Sequence, residues 1–280
     1  MLIISDVLEP AAKHDLYRPF PMKIAISKWH GTGNDFILVD DRTSVFPIDR
    51  LDLVRQLCDR HFGIGSDGLI LIQAPKDDRS EFHMEFFNPD GSRSFCGNGS
   101  RCAYAFWCQL TGHRDPARFT AIDGAHEGRW IADLVSISLN DVDRIDRKEE
   151  QVDFVHNGSP HELVWVQDPD HVDLIGEGRR RRNDPKYAPG GTNVNFLNAI
   201  DGAIAMRTYE RGVEDETLSC GTGVVAAALS ALDRKKASSP VEVRTRGGQL
   251  SVEAISREGK WTEIRLIGPA VEVFTGMISV

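Results

Sequence analysis

Phe95-Cys96-Gly97-Asn98-Gly99-Ser100-Arg101 and, near the other end of the chain, Ser219-Cys220-Gly221-Thr222-Gly223-Val224-Val225 decide how this sequence is read. Each sets a cysteine directly before Gly-x-Gly and then opens an apolar, Ala-rich run with helical spacing. A helix mouth has unpaired backbone N–H groups and the positive end of the helix dipole. A thiol there sheds its proton more readily, and an anion can dock beside it. Taken singly, either cysteine reads equally well as a buried structural thiol. The same grammar twice, each time ahead of a helix, points to a working pair.

The flanking segments repeat as well. The polar turn Lys28 to Asp35 feeds the strand Phe36-Ile37-Leu38-Val39, and Ser159-Pro160-His161 feeds Leu163-Val164-Trp165-Val166. Gly63 to Asp67 precedes the apolar run Leu69 to Ile72, as Gly190-Gly191-Thr192-Asn193 precedes another. The strand Phe82 to Phe87 and the turn Asn88-Pro89-Asp90-Gly91 lead to Cys96, as Ala205 to Gly212 leads to Cys220. The chain is a degenerate tandem repeat of two lobes. Pro47 to Phe62 reads as a helix with Leu51, Val54, Leu57 and Cys58 on its inner stripe, and the Arg179 to Arg182 run reads as a solvated loop. The run Val224 to Leu232 is apolar nearly all round, so it must be buried on every side. The expected fold is therefore α/β: two pseudo-symmetric lobes, each a mixed or antiparallel sheet wrapped around a central helix. The two helix mouths would meet at a cleft between the lobes, with Cys96 and Cys220 on opposite sides of whatever binds there. The expected division is an extension over 1–21 that lacks the strand-like pattern opening at Met22, an N-terminal lobe over 22–139 joined by 268–280, and a C-terminal lobe over 140–267.

Composition narrows the chemistry. The 280 residues, 41% of them hydrophobic, can bury a substantial core, and a net charge of -9 argues against nucleic acid or an anionic membrane as the main partner. Five cysteines without a secretory signal fit free thiols in a cytoplasmic protein better than a disulfide framework. No run is long and apolar enough for a membrane span. Cys102 and Cys108 have no partners at zinc-ligand spacing, so no metal is expected, and the Gly-x-Gly strings near Gly31 and Gly63 do not precede helices as a dinucleotide site requires. A substrate between two thiols, its carboxylate held at helix mouths, describes a two-base racemase or epimerase that needs no cofactor. The readings from another class are a thiol redox switch, for which a CxxC motif is missing, and a non-catalytic amino-acid binder, which would not need matched thiols.

Nine blocks then carry a family resemblance: His30 to Phe36, Asp59 to Gly68, Phe86 to Ser92, Cys96 to Cys102, Gly158 to His161, Gly191 to Phe196, Tyr209 to Gly212, Cys220 to Gly223 and Gly268-Pro269-Ala270. Together, in this order, they resemble the diaminopimelate epimerases. The resemblance implies interconversion of LL- and meso-diaminopimelate without pyridoxal phosphate, on the route to lysine and the peptidoglycan crosslink. It also implies a homodimer whose last strand returns to the first lobe. Carried onto this chain, it makes Cys96 and Cys220 the acid/base pair, with Glu210 near the reacting ammonium and His161 beside the site. Backbone N–H groups of Gly97, Asn98, Gly221 and Thr222 would hold the reacting carboxylate, and Asn34, Asn88, Asn193 and Arg211 the distal end of the substrate. Two departures concern that distal end: some members carry Asn at the position of Ser159, here kept as a substrate contact, and Gln at that of Gly68. The runner-up, a proline-type racemase, leaves the four distal residues without an occupant.

Overall fold

The structure, a computed structural model, describes residues 23–279. The extension expected over 1–21 lies outside the described residues.

The first lobe is built from β1 (Lys23–Gly31), β2 (Asn34–Asp40), α1 (Leu51–Cys58), β3 (Gly68–Gln73), β4 (Phe82–Phe87), α2 (Gly97–Thr111), β5 (Ala117–Ala121), β6 (Gly124–Ile131) and β7 (Leu134–Ser138). The second continues with β8 (Asp146–Glu149), β9 (Val152–His156), β10 (Pro160–Trp165), α3 (Leu174–Arg182), β11 (Asn193–Ile200), β12 (Ala203–Glu210), β13 (Asp215–Thr217), α4 (Gly221–Asp233), β14 (Val241–Thr245), β15 (Gly248–Arg257) and β16 (Lys260–Gly268). β17 (Val271–Ser279) closes the chain.

The pairing repeats with the sequence. β1 to β2 is antiparallel, β2 to β3 parallel, β3 to β4 antiparallel, β4 to β5 parallel, and β5 to β6 to β7 antiparallel. The second lobe follows the same succession through β9, β10, β11, β12, β14, β15 and β16. The last strands of the two repeats, β7 and β16, pair with each other antiparallel, so the sheet runs from one lobe into the other. β17 then crosses back and pairs with β1 along its length.

Each sheet curls around one helix because that helix has no face it can leave in water. From Gly221 to Ala231 only Thr222 of α4 escapes full burial, and its side chains pack on Trp165, Ile204, Met206, Val243, Leu250 and Leu266. α2 is less apolar but as deeply set, among Phe36, Ile70, Met84 and Phe119. Phe82 stacks between Trp107 and Phe119, at centroid distances of 5.3 and 4.9 Å, which locks α2 to β4 and β5. α2 stops where Gly112 takes a left-handed φ of 72° and returns its N–H to the Cys108 carbonyl.

Short helices cover the outer faces. α1 buries Leu53, Val54, Leu57 and Cys58 against β1, β2 and β3, and α3 lays Leu174 on Val164, Val194, Phe196 and Tyr209. α1 is shorter than its periodicity predicts: the segment 47–50 is a turn closed by the Arg50 N–H on the Pro47 carbonyl, and Asp59 is extended. The arginine run belongs to α3 and is not a solvated loop: Arg181 and Arg182 reach the carboxylates of Glu162 and Glu214 at 3.4 and 2.9 Å.

Candidate active site

Cys96 and Cys220 are the N-cap residues of α2 and α4, both in extended backbone conformation with the first helical turn just beyond. The two first turns abut across the lobes. A Cβ added at Gly221 would lie 3.0 Å from Asn98 Oδ1 and 3.2 Å from its backbone N, and one at Gly97 would lie 4.0 Å from the Cα of Gly221. At Gly221 a side chain would crowd Asn98, whereas at Gly97 it would press on Leu266, 3.1 Å away. Asn98 clamps the junction: its side-chain Nδ2 donates to the Ser219 carbonyl in the second lobe at 3.1 Å and to Asn34 Oδ1 in the first at 3.2 Å.

The surroundings of the two sulfurs differ. Cys96 Sγ accepts the Gly99 N–H at 3.4 Å, and its thiol donates to Asn34 Oδ1 at 3.8 Å. Asn34 is held in turn by Asp67, whose carboxylate accepts its Nδ2 at 2.8 Å. Cys220 Sγ lies 3.6 Å from the Thr222 hydroxyl, and Thr222 Oγ1 lies 2.9 Å from Nε2 of His161. Glu210, at the end of β12, accepts the Thr217 hydroxyl at 2.7 Å, and its charge bears on both thiols.

Burial dominates the electrostatics. It pushes the Cys96 thiol up to about 11, against the pull of the Gly99 N–H, and the charge on Glu210 raises it further. Cys220 is pushed up by burial first and Glu210 second, with the Thr222 hydroxyl and the Gly223 N–H pulling the other way. The Glu210 carboxyl rises to about 7, because burial outweighs the Thr217 hydroxyl and Asp67 adds repulsion. His161 falls to about 3 by burial, reinforced by His156 and Arg211, so it is a neutral imidazole. The easier loss of a proton that a helix mouth lends a thiol, read from the sequence, is outweighed here by burial. A helix terminus contributes about 0.3–2 kcal/mol, less than the cost of a desolvated thiolate.

The remaining residues form a second group. Asn193 Nδ2 donates to Ser159 Oγ at 2.9 Å and to the Pro160 carbonyl at 3.1 Å, while its Oδ1 accepts the Arg211 N–H at 2.9 Å. Ser159, Asn193 and Arg211 thus stand together, and the exposed Arg211 makes no ion pair within 4.0 Å among the described residues. That leaves its guanidinium available to a ligand carboxylate. Asn88 is tied into its own turn, its Nδ2 donating to Ser92 Oγ and Ser94 Oγ at 3.0 and 3.1 Å. At Gly68 the place of a side chain is filled by the ring of Phe86, so the larger residue of other members could not be added without moving it. Sequence reasoning gave no role to Asn195, Thr208, Asp67 or Thr217, which hold the candidate site residues in place. The signal for one of them is present: Asn193 and Asn195 are two apart on β11 and point to the same side.

Comparison with known proteins agrees with this geometry. The family described as Diaminopimelate epimerase matches residues 26–130 and 154–273. The chain is 39% identical to the diaminopimelate epimerase of Flavobacterium psychrophilum, covering 88% of this chain and 97% of that protein, and 38% identical to that of Aquifex aeolicus, covering 90% and 96%. Among solved structures, a phenazine biosynthesis protein of Bacillus anthracis superposes with a TM-score of 0.69 at 13% identity, over 92% of this chain and 99% of that one. A hydroxyproline epimerase of Agrobacterium vitis does so at 0.67 and 16%, over 92% and 93%. These two likenesses speak to the fold, an α/β architecture shared by several kinds of enzyme. The doubled cysteine caps, the order of the motifs around them and relatives matched along nine-tenths of the chain place it among isomerases, and it belongs to the diaminopimelate epimerase family.

Proposed function

We propose that the protein interconverts LL- and meso-diaminopimelate by removing a proton from one face of one α-carbon and delivering another to the opposite face, with Cys96 and Cys220 as the two acid/base groups. The observation that carries this reading is the pair of cysteine N-caps on helices whose first turns abut across the two lobes. One thiolate takes the α-proton and becomes a thiol, and the electron pair left on carbon spreads into the adjoining carboxylate. The opposing thiol then gives its proton to the other face and becomes the thiolate. No atom is gained or lost, and one centre is inverted.

The carboxylate sits at the helix mouths, on the N–H groups of Gly97, Asn98, Gly221 and Thr222, where added negative charge is stabilised by fixed dipoles in a dry site. Each helix end contributes about 0.3–2 kcal/mol, short of the roughly 8 kcal/mol or more an enzyme removes from its barrier. Exclusion of water by closure of the lobes supplies part of the remainder. Cys220 is only 7% exposed, so substrate entry requires the lobes to part. The bound α-ammonium brings positive charge beside the sulfurs, which couples ionisation of a thiol to binding. Glu210 receives that ammonium. Arg211 holds the distal carboxylate, with Asn193, Ser159, Asn34 and Asn88 around the distal end.

The five free thiols support a reducing, cytoplasmic setting, and among the described residues no helix is long and apolar enough to cross a membrane. Val273, Phe274 and Met277 of β17 are exposed apolar side chains that a second copy would cover, in keeping with a homodimer. Light scattering tests this, and a monomer at micromolar concentration would overturn it. The reaction is tested by incubating reduced protein with LL-diaminopimelate in deuterated water. Deuterium should appear at one inverted α-carbon of the meso product. Its absence, with binding retained, would leave a non-catalytic amino-acid binder.

A further inference from the structure

The hydrogen bond from Thr222 to Cys220 is the last link of a buried chain that starts two strands away. Asn195 on β11 and Thr208 on β12 are direct cross-strand partners, both buried. Asn195 Nδ2 donates to the Glu162 carbonyl at 3.1 Å, so its amide cannot be reversed without setting two oxygens against each other. The other side of the amide is fixed too, because Oδ1 accepts the Thr208 hydroxyl at 2.9 Å.

The second hydrogen on Nδ2 then points at Nδ1 of His161, 3.3 Å away. An amide nitrogen can only donate, so Nδ1 must present its lone pair, and the neutral imidazole carries its proton on Nε2. Nε2–H donates to Thr222 Oγ1 at 2.9 Å, which leaves the hydroxyl hydrogen of Thr222 for the sulfur of Cys220. Gly223 leaves room for the arrangement, since a Cβ there would come within 2.7 Å of Asn195 Oδ1. The first lobe has no counterpart: in its repeat the cross-strand pair facing the helix mouth is Ile70 with Phe86, both apolar, Ile70 standing against Gly99 as Asn195 stands against Gly223.

We propose that Asn195 and Thr208 are positioning residues for Cys220, holding His161 in its Nε2–H tautomer so that the Thr222 hydroxyl is turned onto the sulfur as a donor. The proposal rests on the reading of Cys220 as an acid/base group. Its test reads the sulfur itself and not turnover. The charged groups facing the chain are Glu210 and Cys96 toward the sulfur and His156 and Arg211 toward the imidazole, and the test substitutions leave all four in place.

The experiment is peptide-resolved alkylation of the intact protein by iodoacetamide across pH, with Cys96 and Cys220 followed separately. Asn195→Leu removes the donor to Nδ1, and Thr208→Val removes one of the two bonds that hold the amide, the bond to the Glu162 carbonyl remaining. Asn195→Leu should slow alkylation of Cys220 at neutral pH by about tenfold, the effect of losing one hydrogen bond to a charged group, Thr208→Val should slow it by a smaller factor, and both should leave the Cys96 profile where it was. In a Thr222→Val background, which lacks the relay hydroxyl but keeps the backbone N–H, the same substitutions should add nothing. An unmoved Cys220 profile, equal shifts at both cysteines, or a shift that persists in the Thr222→Val background would overturn the proposal. Thr208→Val, close to isosteric, keeps the test decisive if Asn195→Leu fails to fold. Lack of deuterium exchange with diaminopimelate would sink the epimerase reading and leave this result standing.

Discussion

The two helix mouths share a backbone and differ in what surrounds it. At Cys96 the sulfur caps its own helix through the Gly99 N–H and turns its thiol toward an amide oxygen of Asn34. At Cys220 no side-chain cap bond forms, and the neighbour is a hydroxyl backed by an imidazole and an asparagine. The helices differ too. α4 buries no charged side chain, whereas α2 carries Arg101, fully buried with Nε on the Pro269 carbonyl and both terminal nitrogens without a partner among the described residues. Both repeats carry the Gly-x-Gly turn, whose first glycine lies at the junction of the two helix ends and whose second leaves room for a side chain of the sheet, Ile70 in one lobe and Asn195 in the other. The side chains behind each sulfur diverge, so the two thiols are not chemically equivalent although their backbones are.

The largest test of that comparison removes each sulfur in turn. Cys96→Ala and Cys220→Ala should each lower epimerisation by about 10³-fold or more, the scale of a lost acid or base, with circular dichroism unchanged. Wild-type turnover in either folded variant would break the two-base reading. Next in size is Arg211→Lys in the second lobe. A point charge cannot reproduce the planar fork on a carboxylate, so KM for diaminopimelate should rise by roughly tenfold. An unchanged KM and kcat would mean that the distal end is held elsewhere.

Stability against pH sharpens the asymmetry, because both of the strongly shifted non-thiol groups of the candidate site lie in the second lobe. Glu210 sits near 7 in the folded protein, above the 4.5 of a free glutamate, so the folded state binds the extra proton between these values. Its contribution to stability is whole below pH 4.5 and drains away as pH rises through 7. Glu210→Gln should therefore raise Tm relative to the parent above pH 7. His161 runs the other way. Held near 3 instead of 6.5, it adds stability that is present above pH 6.5 and lost as pH falls toward 3, so His161→Gln should flatten the acid limb of a Tm profile. Parallel behaviour of the two variants would contradict the opposite shifts. The smallest effect is on oxidation: mild oxidant should link Cys96 to Cys220 slowly, substrate should protect, and dithiothreitol should reverse it. Dominant oxidation at Cys58, Cys102 or Cys108 would count against facing thiols.

What the residues determine locally is legible without coordinates. The doubled cysteine caps, the stop of α2 at Gly112, the strand over Phe82 to Phe87 and the largely apolar α4 follow from capping, φ preference and periodicity, each a property of a few adjacent residues. Where the reading failed, the deciding partner lay far along the chain. The arginine run looks solvated until Glu162 and Glu214 arrive beside it from other elements. Asn195 looks like a polar interruption in an apolar strand until Thr208, Glu162 and His161 take up its hydrogen bonds. Asn88, legible as a turn residue, is engaged in its own turn. The ionisation of the two thiols was misjudged for the same reason. A helix terminus can be seen in sequence, but the desolvation that outweighs it is set by how the folded protein packs around the sulfur. Backbone grammar is local and was written in the chain; burial and partner choice are sums over distant residues, and only the folded protein decides them.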